Sequence, residues 1–251
     1  MLVLVDLQYF VILNWQCMVF TQGVLFPIEE CSIDERPENS FSERDKDDRR
    51  KRLLNLQWHN GFPTEGKEEM PLIDAYNGQL PFDLLPFSDR GKKLFAYGVH
   101  CYLDDYKIEA IWNSPSRVLD SLRSYSCVIA PDYSIFVDQP RAINVWNVYR
   151  NRWVSSYWQK EGISVVPSAS WGNVDSFDYC FDGLPKNSTI AVGHTAVGRD
   201  KYYRKLYRLG VEELIIKKRP TRLIVYGAPL DFAPDVETVY YEGIIQKLRR
   251  L

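Results

Sequence analysis

The stretch CVIAPDYSIFVDQPRAINVWNVYRNRWVSSYWQKEGISVVPSASWG, residues 127–172, contains a complete strand–helix–strand unit. Its first apolar run, Cys127 to Ala130, stops at Pro131 and passes into Asp132-Tyr133-Ser134. From about Pro140 to Lys160 apolar residues recur at steps of three and four, and Gly162 ends the pattern. A second run, Ile163 to Val166, stops at Pro167 and passes into Ser168-Ala169-Ser170-Trp171-Gly172. Two short strands joined by a long helix predict parallel neighbours with a right-handed crossover.

The same grammar continues on both sides. Thr189–Val192 reads as a buried strand leading into Gly193-His194-Thr195. Asp200–Leu209 reads as a helix with Asp200 as its N-cap and Gly210 as its stop, and Leu214–Lys218 as a short continuation. Leu223–Tyr226 is the next strand and ends in Gly227-Ala228-Pro229; Val236–Leu251 is a last amphipathic element, basic at its end. Upstream, Leu94–Val99 reads as a first strand, Ile108–Trp112 as a short strand or turn, and Ser114-Pro115 as a helix start. Strands that do not alternate are buried on both faces, so the expected fold is α/β: a parallel sheet or a partial barrel-like (β/α) repeat domain. Roughly four to six strands are too few for a full eight-fold barrel.

Composition divides the chain into three parts: an apolar extension over residues 1–28, a charged linker over 29–70 that contains ERDKDDRRKR, and the α/β domain over 71–251. Asp6, Gln8, Asn14, Gln16 and Gln22 interrupt the apolar extension, so no membrane partner is expected, and a basic n-region with a small-residue cleavage site is absent. Apolar content of 45% and charged content of 25% are ordinary for a globular protein, and a net charge of −2 excludes nucleic-acid binding by bulk charge alone. The tail from Thr195 onward nevertheless carries twelve Lys and Arg against seven Asp and Glu. Five cysteines without a CxxC pair argue against a zinc knuckle and for a reducing, cytoplasmic setting.

Ligands in α/β folds bind beyond the C-terminal ends of the strands. Those ends carry Asp132 and Ser134; Ser168, Ser170 and Trp171; His194 and Thr195; and Tyr226 and Gly227. Asp132, Ser170 and His194 are the candidate catalytic set, with Asp132 placed to raise the basicity of His194. Ser134, Ser168, Trp171, Thr195, Tyr226 and Gly227 are the candidate ligand-binding set. Gly193-His194-Thr195-Ala196-Val197-Gly198 forms a loose glycine loop that lacks the spacing of a phosphate-binding motif. His59, beside Asn60-Gly61, reads as a surface-loop histidine, and no motif names a metal or a cofactor.

The helix over 140–160 has two faces. Ala142, Val145, Trp146, Tyr149, Trp153 and Tyr157 form the expected core stripe, while Asn144, Asn147, Asn151 and Ser155, flanked by Arg150 and Arg152, form a polar face expected to be solvated. A basic stripe, Lys201, Arg204, Lys205 and Arg208, interleaves with Tyr202, Tyr203 and Tyr207, a pattern that can follow a nucleic-acid backbone and stack bases.

Several segments in order then carry a resemblance: Val99-His100 with Asp104-Asp105, Ile111-Trp112-Asn113-Ser114-Pro115, Pro131-Asp132-Tyr133-Ser134, Tyr149-Arg150-Asn151-Arg152, Tyr157-Trp158-Gln159, Val165-Val166-Pro167 with Ser170-Trp171, Cys180-Phe181-Asp182-Gly183 and Tyr226-Gly227. From about Pro71 to Leu230 the chain resembles an uncharacterised domain family of bacterial phages, plasmids and mobile elements. The resemblance implies domain limits and a mobile-element origin and no catalytic role. Two readings therefore stand: a hydrolase or transferase acting on a nucleotide or nucleic acid, and a non-catalytic nucleic-acid or protein binding module in replication or defence.

Overall fold

The structure, a computed structural model, describes residues 12–13, 16–21, 24–27, 61–92, 94–195, 200–243 and 246–247. The readings for His59, for most of the charged stretch, for Ala196 to Gly198 of the glycine loop and for the last four residues fall outside these. The chain divides into two compact units, Met1–Gln57 and Trp58–Leu251. Among its described residues the first holds three antiparallel strands, β1 (Ile12–Leu13), β2 (Gln16–Thr21) and β3 (Val24–Pro27). Among the described residues no helix is long and apolar enough to cross a membrane.

The second unit opens with a hairpin, β4 (Thr64–Glu65) and β5 (Met70–Pro71). Parallel strands follow: β6 (Leu84–Pro86), β7 (Gly98–His100), β8 (Cys127–Ile129), β9 (Val165–Val166), β10 (Ser168–Ala169), β11 (Thr189–His194), β12 (Arg222–Gly227) and β13 (Thr238–Tyr241). They make two four-stranded parallel sheets, β6-β7-β8-β9 and β10-β11-β12-β13, with neighbours in chain order. The predicted strand pair is present, with Val128 opposite Val165 and Ile129 opposite Val166. Pro167 separates β9 from β10; it has no N–H to donate, but its carbonyl still accepts from Ala191 N at 2.8 Å. The run 165–169 thus borders β8 with its first half and β11 with its second.

Among the described residues the α-helices are α1 (Asp105–Asn113), α2 (Leu119–Leu122), α3 (Arg141–Lys160) and α4 (Lys201–Lys218). Successive strand residues face opposite sides. Leu84, Cys127, Ile129, Val166, Ala191, Ile224, Tyr226 and Tyr241, from strands of both sheets, meet in one cluster. Ile190, Val192, Leu223 and Val225 meet Val148 of α3 and Val211 and Leu214 of α4 in another. The hydroxyl of Tyr241, on the last strand, donates to Pro81 O at 2.7 Å, just ahead of the first parallel strand.

Four local readings change. The first parallel strand is Leu84–Pro86, and the predicted strand at 94–99 reduces to Gly98–His100 because Tyr97 closes a turn on Leu94 O. Ile108–Trp112 is helical: Ile108, Ile111 and Trp112 are buried at steps of three and one, which puts them on one helix face. Gly210 does not stop a helix; α4 runs through it to Lys218, and the missing side chain leaves room for the Trp171 ring. Thr238–Tyr241 is a strand, because its partner β12 supplies the hydrogen bonds that an isolated amphipathic segment lacks. The α3 end is as expected: Gly162 sits at φ 82°, Ile163 N donates to Trp158 O and Gly162 N to Gln159 O, both at 2.9 Å, a Schellman stop.

Candidate functional site

The loop after β8 is held from two sides. The α3 face predicted to be solvated is buried, and its asparagines form a ladder along the loop. Asn151 Nδ2 donates to Pro131 O and, at 2.9 Å, to Ser168 Oγ. Asn147 Nδ2 donates to Ser134 O at 2.6 Å. Asn144 both donates to Phe136 O at 2.9 Å and accepts from Phe136 N at 3.2 Å. The Arg150 guanidinium lies 3.9 Å over the Tyr133 ring and donates to Asn147 and Glu109. Arg152 donates to the carbonyls of Ser168, Cys180 and Asp182. From the other side Asp105, in the first turn of α1, accepts from Ser134 N at 3.1 Å and Ser134 Oγ at 2.8 Å. Most polar groups buried here find backbone or side-chain partners, Arg150 Nε excepted, which makes this face a scaffold. In return the expected core stripe is partly outward: Trp146 is 37% exposed and Ala142 is exposed.

Behind this loop opens a cavity of about 500 Å³ at the C-terminal ends of β8, β10 and β11. Asp132, Ser134, Ser170, Trp171 and Thr195 line it. So do Phe136 and Asp138, which the sequence reading did not include, and Tyr203 and Tyr207, which it placed with the basic stripe as base-stacking rings and not at this rim. Trp171 packs against Tyr207, ring centroids 5.1 Å apart. Asp132 is half-buried, with Oδ1 shut off from solvent and without a hydrogen-bond partner. Burial pushes its carboxyl up to about 7; a hydrogen-bonding Ser170 hydroxyl opposes the rise, and the Asp105 carboxylate adds to it. The hydroxyls of Tyr102 and Tyr207 are likewise buried without partners, and burial followed by the Asp132 charge holds both phenols above their usual range.

The remaining candidates lie elsewhere. Ser168 is buried, held by Asn151 and donating to Ala130 O. Tyr226 is buried in a ring stack with Tyr102, 5.2 Å away, and His100, 4.0 Å away. Gly227 sits at φ 120° against His194 O, where a side chain would clash. His194 Nδ1 is 2.8 Å from Ala228 O and its ring lies 4.8 Å from Tyr207; no hydrogen bond or ion pair joins it to Asp132. A second histidine, His100, is 2% exposed, accepts from Tyr102 N, and is pushed by burial down to about 3, so it stays neutral. Gly193 belongs to β11, paired opposite Tyr226, and its missing side chain admits the Tyr102 ring. Among the described residues no group of three His, Cys, Asp or Glu converges as a metal site.

Of the basic stripe on α4, all four cations are exposed. Arg208 pairs with Glu212 at 2.8 Å and Arg204 with Asp231 at 3.6 Å, while Lys201 and Lys205 have no ion pair among the described residues. Asp200 caps the helix as expected, accepting from Tyr202 N at 2.7 Å.

Comparison with known proteins agrees with the resemblance. A family described as a domain of unknown function, DUF4417, matches residues 62–242. The "Gene 1 protein" of Mycobacterium phage D29 is 43% identical over 179 residues, covering 70% of this chain and 65% of that protein. The "Gene 1 protein" of Mycobacterium phage L5 is 43% identical over 129 residues, covering 51% of this chain and 56% of its own length. The chain thus spans less than two thirds of either relative. No solved structure matches. With a family match across most of its length and these phage relatives, the chain is a member of the DUF4417 family, an uncharacterised phage-type α/β domain.

Proposed function

We propose that the cavity is the active site of a hydrolase or transferase acting on a nucleotide or nucleic acid, with Asp132 as its general acid–base group. One observation carries the reading: a carboxyl held near neutral pH by burial, with an unpartnered oxygen, in a cavity walled by rings. Ser170 is the neighbouring hydroxyl, placed to be activated by Asp132 or to orient it. His194 supports the Tyr207 wall and is bonded to a loop carbonyl. In this reading the two sheets belong to one barrel-like curl with the cavity at its C-terminal rim; the cluster shared by both sheets and the Tyr241–Pro81 bond support it. The free, buried thiols of Cys101, Cys127 and Cys180 go with a cytoplasmic setting.

The test is turnover of a panel of nucleotides and oligonucleotides by the protein and by Asp132→Ala. Loss of roughly 10²–10⁴-fold in rate is expected for the variant, with a pH–rate inflection near 7 in the parent. Equal rates in parent and variant would remove Asp132 from the chemistry.

A second reading, a non-catalytic nucleic-acid binding module, is favoured by the unpaired Lys201 and Lys205, whereas the pairing of Arg204 and Arg208 removes half of the stripe. It expects charge reversal at Lys205 to weaken binding and flatten its salt dependence.

A further inference from the structure

The cavity wall sorts sharply by chemistry. Phe136, Trp171, Tyr203 and Tyr207 supply rings, and Phe136 and Tyr203 remain exposed at the mouth. Asp132 and Asp138 supply carboxyls, and no Lys, Arg or His occurs among the described lining residues. A phosphate in this space would meet like charge, with no cation or guanidinium fork among the described lining residues to hold it. A flat ring without charge meets the opposite situation: faces to stack on, and an acceptor in need of a donor. That acceptor is the half-buried Asp132 carboxyl, which lines the cavity and whose Oδ1 is without a partner, although the asparagine ladder bonds the loop carbonyls of Pro131, Ser134 and Phe136. The volume, about 500 Å³, is in the range that encloses a small ring ligand. On α4, whose Tyr203, Leu206 and Tyr207 line the cavity, Lys201 and Lys205 are exposed and lie outside that lining.

We infer that the cavity takes the base of the substrate, an uncharged heteroaromatic ring presenting an N–H edge to Asp132, while the phosphate stays outside. The inference rests on the enzyme reading of the same cavity. For a nucleic acid it requires the base to leave the stack and enter the pocket, as enzymes that act on bases demand. Ring stacking then provides tolerance of ring type, and the carboxyl selects for a donor edge.

The experiment is ligand-observed NMR and calorimetric titration of the full chain with four nucleosides, their 5′-monophosphates, ribose 5-phosphate and inorganic phosphate. At least one nucleoside is expected to bind, and neither ribose 5-phosphate nor phosphate is expected to displace it. Asp132→Ala should weaken that binding about tenfold or more. Phe136→Ala, at an exposed ring that the fold does not need, should weaken it several-fold with an unchanged melting temperature. Displacement by ribose 5-phosphate, or binding of monophosphates without any nucleoside, overturns the inference and leaves the enzyme reading standing. Nucleoside binding that both substitutions leave intact places the ligand elsewhere and also overturns it. Absence of binding together with absence of turnover across the panel overturns both.

Discussion

Asp132 shows how a single residue acquires unusual chemistry. Pro131 ends its strand, the asparagine ladder holds the loop carbonyls on either side, and the carboxyl is left with burial and one hydroxyl neighbour. Its folded pKa is raised, so the neutral form favours the fold. That contribution is fully present below the ordinary value of 3.8 and is lost as the pH rises through about 7. Asp132→Asn should therefore match the parent in thermal stability near pH 4 and exceed it at pH 8, a difference readable by circular dichroism melts. Equal melting at both pH values would mean the carboxyl is solvated. The position of Asp132 was legible from the proline after an apolar run. Tyr207 was not: on the chain it belongs to a basic helix, and only packing against Trp171 and His194 turns it inward.

At the scale of the element, α3 was predicted in extent and misjudged in orientation. Hydrophobic periodicity places the larger rings inside, yet Trp146 is partly exposed and Asn144, Asn147 and Asn151 are buried. The reason is demand. A loop whose carbonyls lie away from water needs donors, and asparagines at steps of three and four supply them in line. Trp153 and Trp158 still anchor the helix, both almost wholly buried. Asn151→Leu should destabilise by about 1–3 kcal/mol, since Pro131 O and Ser168 lose a donor. Hydrogen exchange should rise in residues 131–138. A change within about 0.5 kcal/mol is what a solvated face would give. Helix α1 makes the complementary point: a short apolar run does not separate strand from helix, and burial at Ile108, Ile111 and Trp112 decides it.

At the largest scale, within each parallel sheet order along the chain equals order in space, strand by strand, which keeps those connections local. In the proposed curl the join between the first and last parallel strands is small, and it predicts a small effect. Tyr241→Phe removes one hydrogen bond to Pro81 O and should cost about 0.5–1.5 kcal/mol by urea denaturation; no change would remove that contact from the proposed curl. Domain limits can be tested by truncation. Glu65, in the first hairpin, pairs with Lys218 at 2.6 Å, and Lys218 is almost wholly buried. A chain beginning at Trp58 should unfold cooperatively, and one beginning at Pro71 should melt lower, because Lys218 is left buried without its partner. Equal melting of the two would place residues 58–70 outside the stable fold.

The sequence by itself determined the parallel α/β class, the strands β8, β9, β11 and β12, and the position of Asp132 beyond the end of one of them. These depend on local signals: unalternated apolar runs, prolines that end strands, a glycine at a left-handed helix stop. Tertiary structure alone decided which face of α3 is buried, which rings wall the cavity and which candidates stand apart from it. Those outcomes depend on groups far apart in the chain, such as Asp105 and Ser134, Asn151 and Ser168, or Trp171 and Gly210, whose meeting no local pattern encodes.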